Sequence, residues 1–125
     1  MPVLVLPADR TAARAGRRHL EVVCRGLQTA PEVVDVALVL VSELVTNAVI
    51  HARSQPRLTV AAAAGGALYV GVGDDDSRSP TMRDQDDEAL NGRGLHLLAS
   101  LAFRWGVRPD PPGKVVWFEL TTEAA

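Results

Sequence analysis

Any fold adopted by this chain has to bury one segment above all, PEVVDVALVLVSELVTNAVIHA at 31–52. Its 22 residues carry only four ionisable side chains, Glu32, Asp35, Glu43 and His51. Ahead of it, Thr29-Ala30-Pro31-Glu32 reads as a helix start. Proline suits the first turn, where its missing N–H is no loss, and an acid there meets the positive end of the helix dipole. A helix over 31–52 spans about 33 Å at 1.5 Å per residue. Being apolar nearly all round, it is expected to be buried. Its longest unbroken aliphatic run, Val36 to Val41, is six residues, far short of a membrane span.

The covering surface is expected from strands. Leu58, Val60, Ala62 and Ala64 alternate along the chain, as do Leu68, Val70 and Val72, the period of a half-buried strand. Gly65-Gly66 lies between the two runs and accepts positive φ, which predicts a hairpin. Residues 2–6 read as a short strand. From about Asp9 to Leu27 the pattern is helical, with Leu20, Val23, Cys24 and Leu27 on one face. Residues 73–92 lose periodicity and hold seven acids between Asp74 and Glu88 against two arginines. A structureless stretch of that length is expected to be functional or mobile, and this one is expected to be mobile. A helix follows Gly94 through Leu95, Leu98, Leu101 and Ala102. Residues 104–107 and 114–121 read as strands joined by PDPPG at 109–113. The order β-α-α-β-β-loop-α-β-β pairs its strands as hairpins, so a mixed, mostly antiparallel sheet is expected. With all helices on one face, the fold class is a two-layer α/β sandwich.

Composition narrows the function classes. At 125 residues the chain is expected to be one domain, 1–125. A net charge of −2 and 4% aromatic residues argue against a dedicated nucleic-acid binder. The opening MPVLVLPAD has no basic start and is cut by Pro7 and Asp9, so no signal peptide is expected. One cysteine, Cys24, cannot form an internal disulfide or a cysteine metal site. A reducing cytoplasm is the expected compartment.

The chemistry concentrates in three places. Within SELVTNAVIHA, 42–52, Glu43, Asn47 and His51 stand four apart, one turn above another on one helix face. Polar side chains on an apolar helix need partners or solvent, because unpaired burial costs about 1–3 kcal/mol each. Taken alone, solvent exposure or mutual hydrogen bonding would satisfy them. In VGVGDDDSRSP, 70–80, Asp74 shares the parity of Leu68, Val70 and Val72. If the strand persists, its carboxylate faces the helical layer, where it can accept a hydrogen bond from an amino group. The alternative is a polar strand end running into a solvated acidic loop. In GRGL, 92–95, Gly92 and Gly94 open a helix whose free N–H groups suit an anion. A loop-to-helix junction that needs positive φ explains the same glycines.

In this order, the three segments resemble the GHKL, or Bergerat-fold, ATPase and kinase superfamily across nearly the whole chain. SELVTNAVIHA looks like its N-box, Val72 to Pro80 its first glycine box, and GRGL its second. RWGV with GKVVWFEL is similar to short actinobacterial relatives of anti-sigma-factor serine kinases. The resemblance implies a Bergerat-type sandwich that binds ATP and Mg2+. Asn47 would be the magnesium ligand, through an amide oxygen that suits a hard cation. Glu43 would be the general base that takes a proton from an attacking hydroxyl. Asp74 would read the adenine amino group. Gly92 and Gly94 would let the phosphate loop approach the triphosphate, with Arg93 as a phosphate contact. The implied function is a cytoplasmic serine/threonine protein kinase-like anti-sigma factor. It would phosphorylate an anti-sigma-factor antagonist and bind a sigma factor, with no direct contact to nucleic acid or membrane. Relatives of this kind often pair as homodimers. The alternative is a non-catalytic module of the same fold that acts by association.

Three departures bear on that reading. Asp76 and Arg78 stand where the first glycine box has its glycines. Asp76 removes backbone freedom and adds negative charge near an anionic ligand. On the last strand Val115 is expected at the adenine-side position, where the family often carries threonine. His19, His51 and His96 lack metal-ligand spacing and read as structural. Arg10, Arg14, Arg17, Arg18 and Arg25 form a basic stripe on the first helix, read as a solvated face that could dock an acidic partner. Cys24 reads as a packed small hydrophobe.

Overall fold

The structure, a computed structural model, describes residues 2–77 and 96–121. A two-residue strand β1 (Leu4–Val5) leads to α1 (Ala12–Leu27) and α2 (Pro31–Asn47). A π-helical turn, Ala48–Ala52, extends α2, and β2 (Arg57–Ala62) and β3 (Leu68–Asp74) follow. Residues 96–101 are helical, and β4 (Arg104–Asp110) and β5 (Gly113–Leu120) complete the sheet. Strand order is β1-β2-β3-β5-β4, and every described pair is antiparallel. Among the described residues the expected order of helices and strands holds, as does the two-layer α/β class, but β4 runs on to Asp110 through residues expected in the turn.

Helix α1 buries Ala12, Gly16, Leu20 and Cys24, one residue every four. Val23 is only half-buried and Leu27 is 42% exposed, so the expected face is rotated toward smaller residues. The reason lies at Gly16, where an added Cβ would stand 3.3 Å from Val41. The two helices approach closely there, and the smaller side chains form the contact. Arg17 Nη1 donates to Ser42 Oγ across this seam at 3.1 Å.

Helix α2 starts at Pro31 with Glu32 in its first turn, as the sequence predicts. Val33, Ala37, Leu40, Val41, Leu44 and Val45 are buried, and each of the valines and leucines stabilises by about 1.5–3 kcal/mol when its side chain leaves water. Burial is not all round, because Val39 is 47% exposed. A two-layer fold covers one side of a helix, and the opposite side meets solvent. Pro31–Ala52 is long and apolar enough to cross a membrane by length and composition alone, yet its buried stripe packs in the same core as Leu58, Val70, Leu98 and Phe118.

In the predicted hairpin Gly65 and Gly66 have φ of 74° and 82°, values that glycine adopts without strain. On the sheet's other face the rings of Tyr69 and Trp117 stack with centroids 6.2 Å apart. Trp117 lies against Gly106, where a Cβ would meet its ring at 3.0 Å.

Candidate functional site

Glu43, Asn47 and His51 fall on one face of α2 and the turn that extends it. All three are half-buried, so neither full solvation nor core burial describes them. The helix does not continue regularly to Ala52 as expected. After Asn47 it widens into the π turn, which ends at Arg53 with φ of 53°. Turns of this kind are frequent at functional sites because they re-aim side chains. The Nε2 atom of His51 is buried with no hydrogen-bond partner among the described residues.

The π turn packs on β3, which brings the end of α2 beside the end of that strand. Strand β3 persists through Asp74, and the predicted parity holds: Asp74 is on the helix-facing side and only 6% exposed. Its carboxylate is held by a cation that sequence reasoning missed. Lys114 stands opposite Asp74 in the β3–β5 ladder, and its Nζ donates to Oδ1 and Oδ2 at 3.1 and 3.2 Å. The same ammonium donates to the Asp76 carbonyl at 3.0 Å. The Asp76 N–H donates back to Asp74 Oδ1 at 2.9 Å.

Backbone contacts brace this knot from the β2 side. Arg57 donates to the Asp74 carbonyl and to Asp75 Oδ1, each at 3.0 Å. Buried Ser54 accepts the Asp75 N–H at 3.1 Å. Gly113 makes the close approach of β5 to β3 possible, since a Cβ there would collide with the Asp74 carbonyl oxygen. A cavity of about 280 Å³ opens beside Lys114, lined among others by Ser77, Val107 and Pro109.

Val115, expected on the Asp74 side, lies on the opposite face of the sheet. It pairs with Gly73 in the ladder and packs over Gly71 and Gly73 on the face away from the helices. The residue cross-strand from Asp74 is Lys114, one position earlier, because side chains alternate along a strand. Gly92, Arg93 and Gly94, Arg78, the acidic run 84–88 and the expected mobility of the loop lie outside the described residues. Among the described residues no group of three or more histidine, cysteine, aspartate or glutamate side chains could hold a metal. The predicted arrangement is different, a single amide oxygen with phosphate oxygens. The amide oxygen of Asn47 is buried, one helical turn from the carboxylate of Glu43, and is of the type such an arrangement would use. Hard neutral and anionic oxygens of this kind fit magnesium.

The profile of the histidine kinase-like ATPase domain matches residues 6–120. No curated protein matches the chain. Among solved structures, the RsbU and RsbW domains of Rv1364c from Mycobacterium tuberculosis align at a TM-score of 0.71 and 20% identity, over 96% of this chain and 32% of that one. The Erythrobacter litoralis EL346 blue-light activated histidine kinase aligns at a TM-score of 0.55 and 29% identity, over 71% of this chain and 30% of that one. The chain thus spans about a third of the length of either.

Proposed function

Because the chain belongs to the histidine kinase-like ATPase family, within the GHKL superfamily, we propose that it binds Mg-ATP where α2 and β3 end. We propose further that it acts in the cytoplasm as a serine protein kinase of the anti-sigma-factor type. The observation that carries this reading is the placement of Glu43 and Asn47, half-buried on one face of α2, beside the strand that ends in buried Asp74.

In this reading Asn47 holds magnesium through its amide oxygen. When bound, the metal neutralises charge on the phosphate oxygens. Glu43 accepts the proton of a serine hydroxyl on an antagonist protein as that oxygen bonds to the γ-phosphorus. The bond from the γ-phosphorus to the bridging oxygen breaks, and ADP leaves with that electron pair. Phosphoryl transfer asks chiefly for positioning and charge neutralisation, which two side chains on one helix and a phosphate loop can supply. Asp74 is the base-side acceptor, and Gly92, Arg93 and Gly94 are the phosphate contacts. A sigma factor is the partner held when the antagonist is unavailable, and the chain pairs as a homodimer.

Calorimetric titration with ATP, with and without magnesium, tests the binding step. Asn47→Ala is expected to abolish the magnesium dependence. Magnesium-dependent binding that survives unchanged in Asn47→Ala would remove that residue as the ligand. A second reading, a non-catalytic module acting by association, is favoured by one observation. The Asp74 carboxylate is already engaged by Lys114.

A further inference from the structure

We infer that Lys114 acts as an internal occupant of the base-reading carboxylate, so that the site discriminates little between purine bases. Affinity then rests on the magnesium–triphosphate end. The inference rests on the nucleotide reading above and deepens it by naming the ligand class, a nucleoside triphosphate without strong base selection.

Two independent observations carry it. The first is the balance of donors and acceptors around Asp74. An ammonium has three N–H groups, and Lys114 has three acceptors within reach: both oxygens of Asp74 and the Asp76 carbonyl. Asp74 Oδ1 also receives the Asp76 N–H. The pair is nearly dry, with side-chain exposures of 12% for Lys114 and 9% for Asp74. One acceptor site on Oδ2 stays open, so an amino group on an incoming base shares the carboxylate with an ammonium whose charge-assisted bonds are the stronger kind, and gains correspondingly little. The second is the face of Val115. The other position expected on the base side points away from the helical layer, so it cannot supply base contacts in place of Asp74.

The experiment compares Mg-ATP, Mg-GTP and magnesium tripolyphosphate by calorimetry, on the wild-type protein and on Lys114→Thr and Lys114→Met. Threonine keeps a small hydroxyl beside the carboxylate and admits water, so one folded variant remains if methionine leaves Asp74 too poorly compensated. Wild-type protein is expected to bind ATP and GTP within about threefold of each other, since one exchanged hydrogen bond nets little. Either folded variant is expected to bind ATP about tenfold more tightly, the effect of one recovered contact, with tripolyphosphate affinity no higher. ATP binding that emerges only in the variants overturns the inference, because wild-type affinity would then not rest on the triphosphate end. A wild-type preference for ATP over GTP of about tenfold or more overturns it, even while the nucleotide reading stands. So does a folded variant with no gain for ATP. Failure of all three proteins to bind any of the three ligands defeats the nucleotide reading itself and takes this inference with it.

Discussion

Asp74 and Lys114 face each other across the β3–β5 ladder, and the Lys114 ammonium bridges both carboxylate oxygens at 3.1 and 3.2 Å. Each is the compensation for burying the other. Removing one partner of such a pair leaves an uncompensated charge, at a cost of about 3 kcal/mol or more. Lys114→Met is expected to lose about that much in denaturant unfolding. The double variant Asp74→Asn, Lys114→Met is expected to recover most of the loss. A single variant as stable as wild type would contradict the assignment of the pair as buried and coupled.

Gly113 permits the close backbone approach of β5 to Asp74. A methyl group there would collide with the Asp74 carbonyl oxygen, so the strands must separate. Gly113→Ala is expected to destabilise by about 3 kcal/mol, the upper range of overpacking. The control is Gly26→Ala on α1, where nothing lies within 4 Å of the new methyl. That change is expected to stabilise by about 0.5–1 kcal/mol through helix propensity. Equal effects at the two positions would mean the close approach is not real.

Glu43 and Asn47 are predicted to fail differently. Glu43→Gln keeps shape and hydrogen-bonding but loses the proton acceptor. It should leave Mg-ATP affinity within about threefold while transfer to a serine substrate falls about 10²–10⁴-fold, the usual contribution of a general base. Single-turnover transfer assays beside calorimetry separate the two. Unimpaired transfer by Glu43→Gln would exclude it as the base.

Cys24 is expected to behave as a packed hydrophobe. Burial pushes its thiol above the ordinary value of 9.0, and a hydrogen bond with Thr29 opposes this more weakly. Native protein should react with a thiol reagent at least about tenfold more slowly than unfolded protein at pH 8, because the thiolate is the reactive form. The sign for stability follows from proton binding. Above the unfolded-state value the unfolded chain has released its proton while the native chain still holds one. This contribution is therefore full below about pH 8 and is lost as pH rises through the native value. A Cys24→Ala variant should show a shallower alkaline decline in urea midpoint, and an unchanged decline would refute the linkage.

Much of the fold was readable because the signals are local. Pro31 and Glu32 mark the start of α2, two glycines mark the β2–β3 hairpin, and period-two alternation carries Asp74 to the helical side. The four-residue step of Glu43, Asn47 and His51 places them on one face without help from any tertiary contact. The rotation of the α1 face was not readable, since it depends on how closely α2 approaches Gly16. Nor was the π turn after Asn47, for which AVIHA carries no local signature.

The residues by themselves determined the helices, the strand parities and the chemical types gathered at one end of the sheet, because each depends on neighbours within a few positions. Only the tertiary structure decided that Lys114 and not Val115 lies opposite Asp74. Those two strands are separated by a long intervening segment, and no period along the chain encodes the register in which they meet. A shift of one residue would turn Lys114 to the other face and bring Val115 in. The choice is made by the packing of Val116, Phe118 and Leu120 in the core, which fixes β5 and leaves Lys114 against the buried carboxylate.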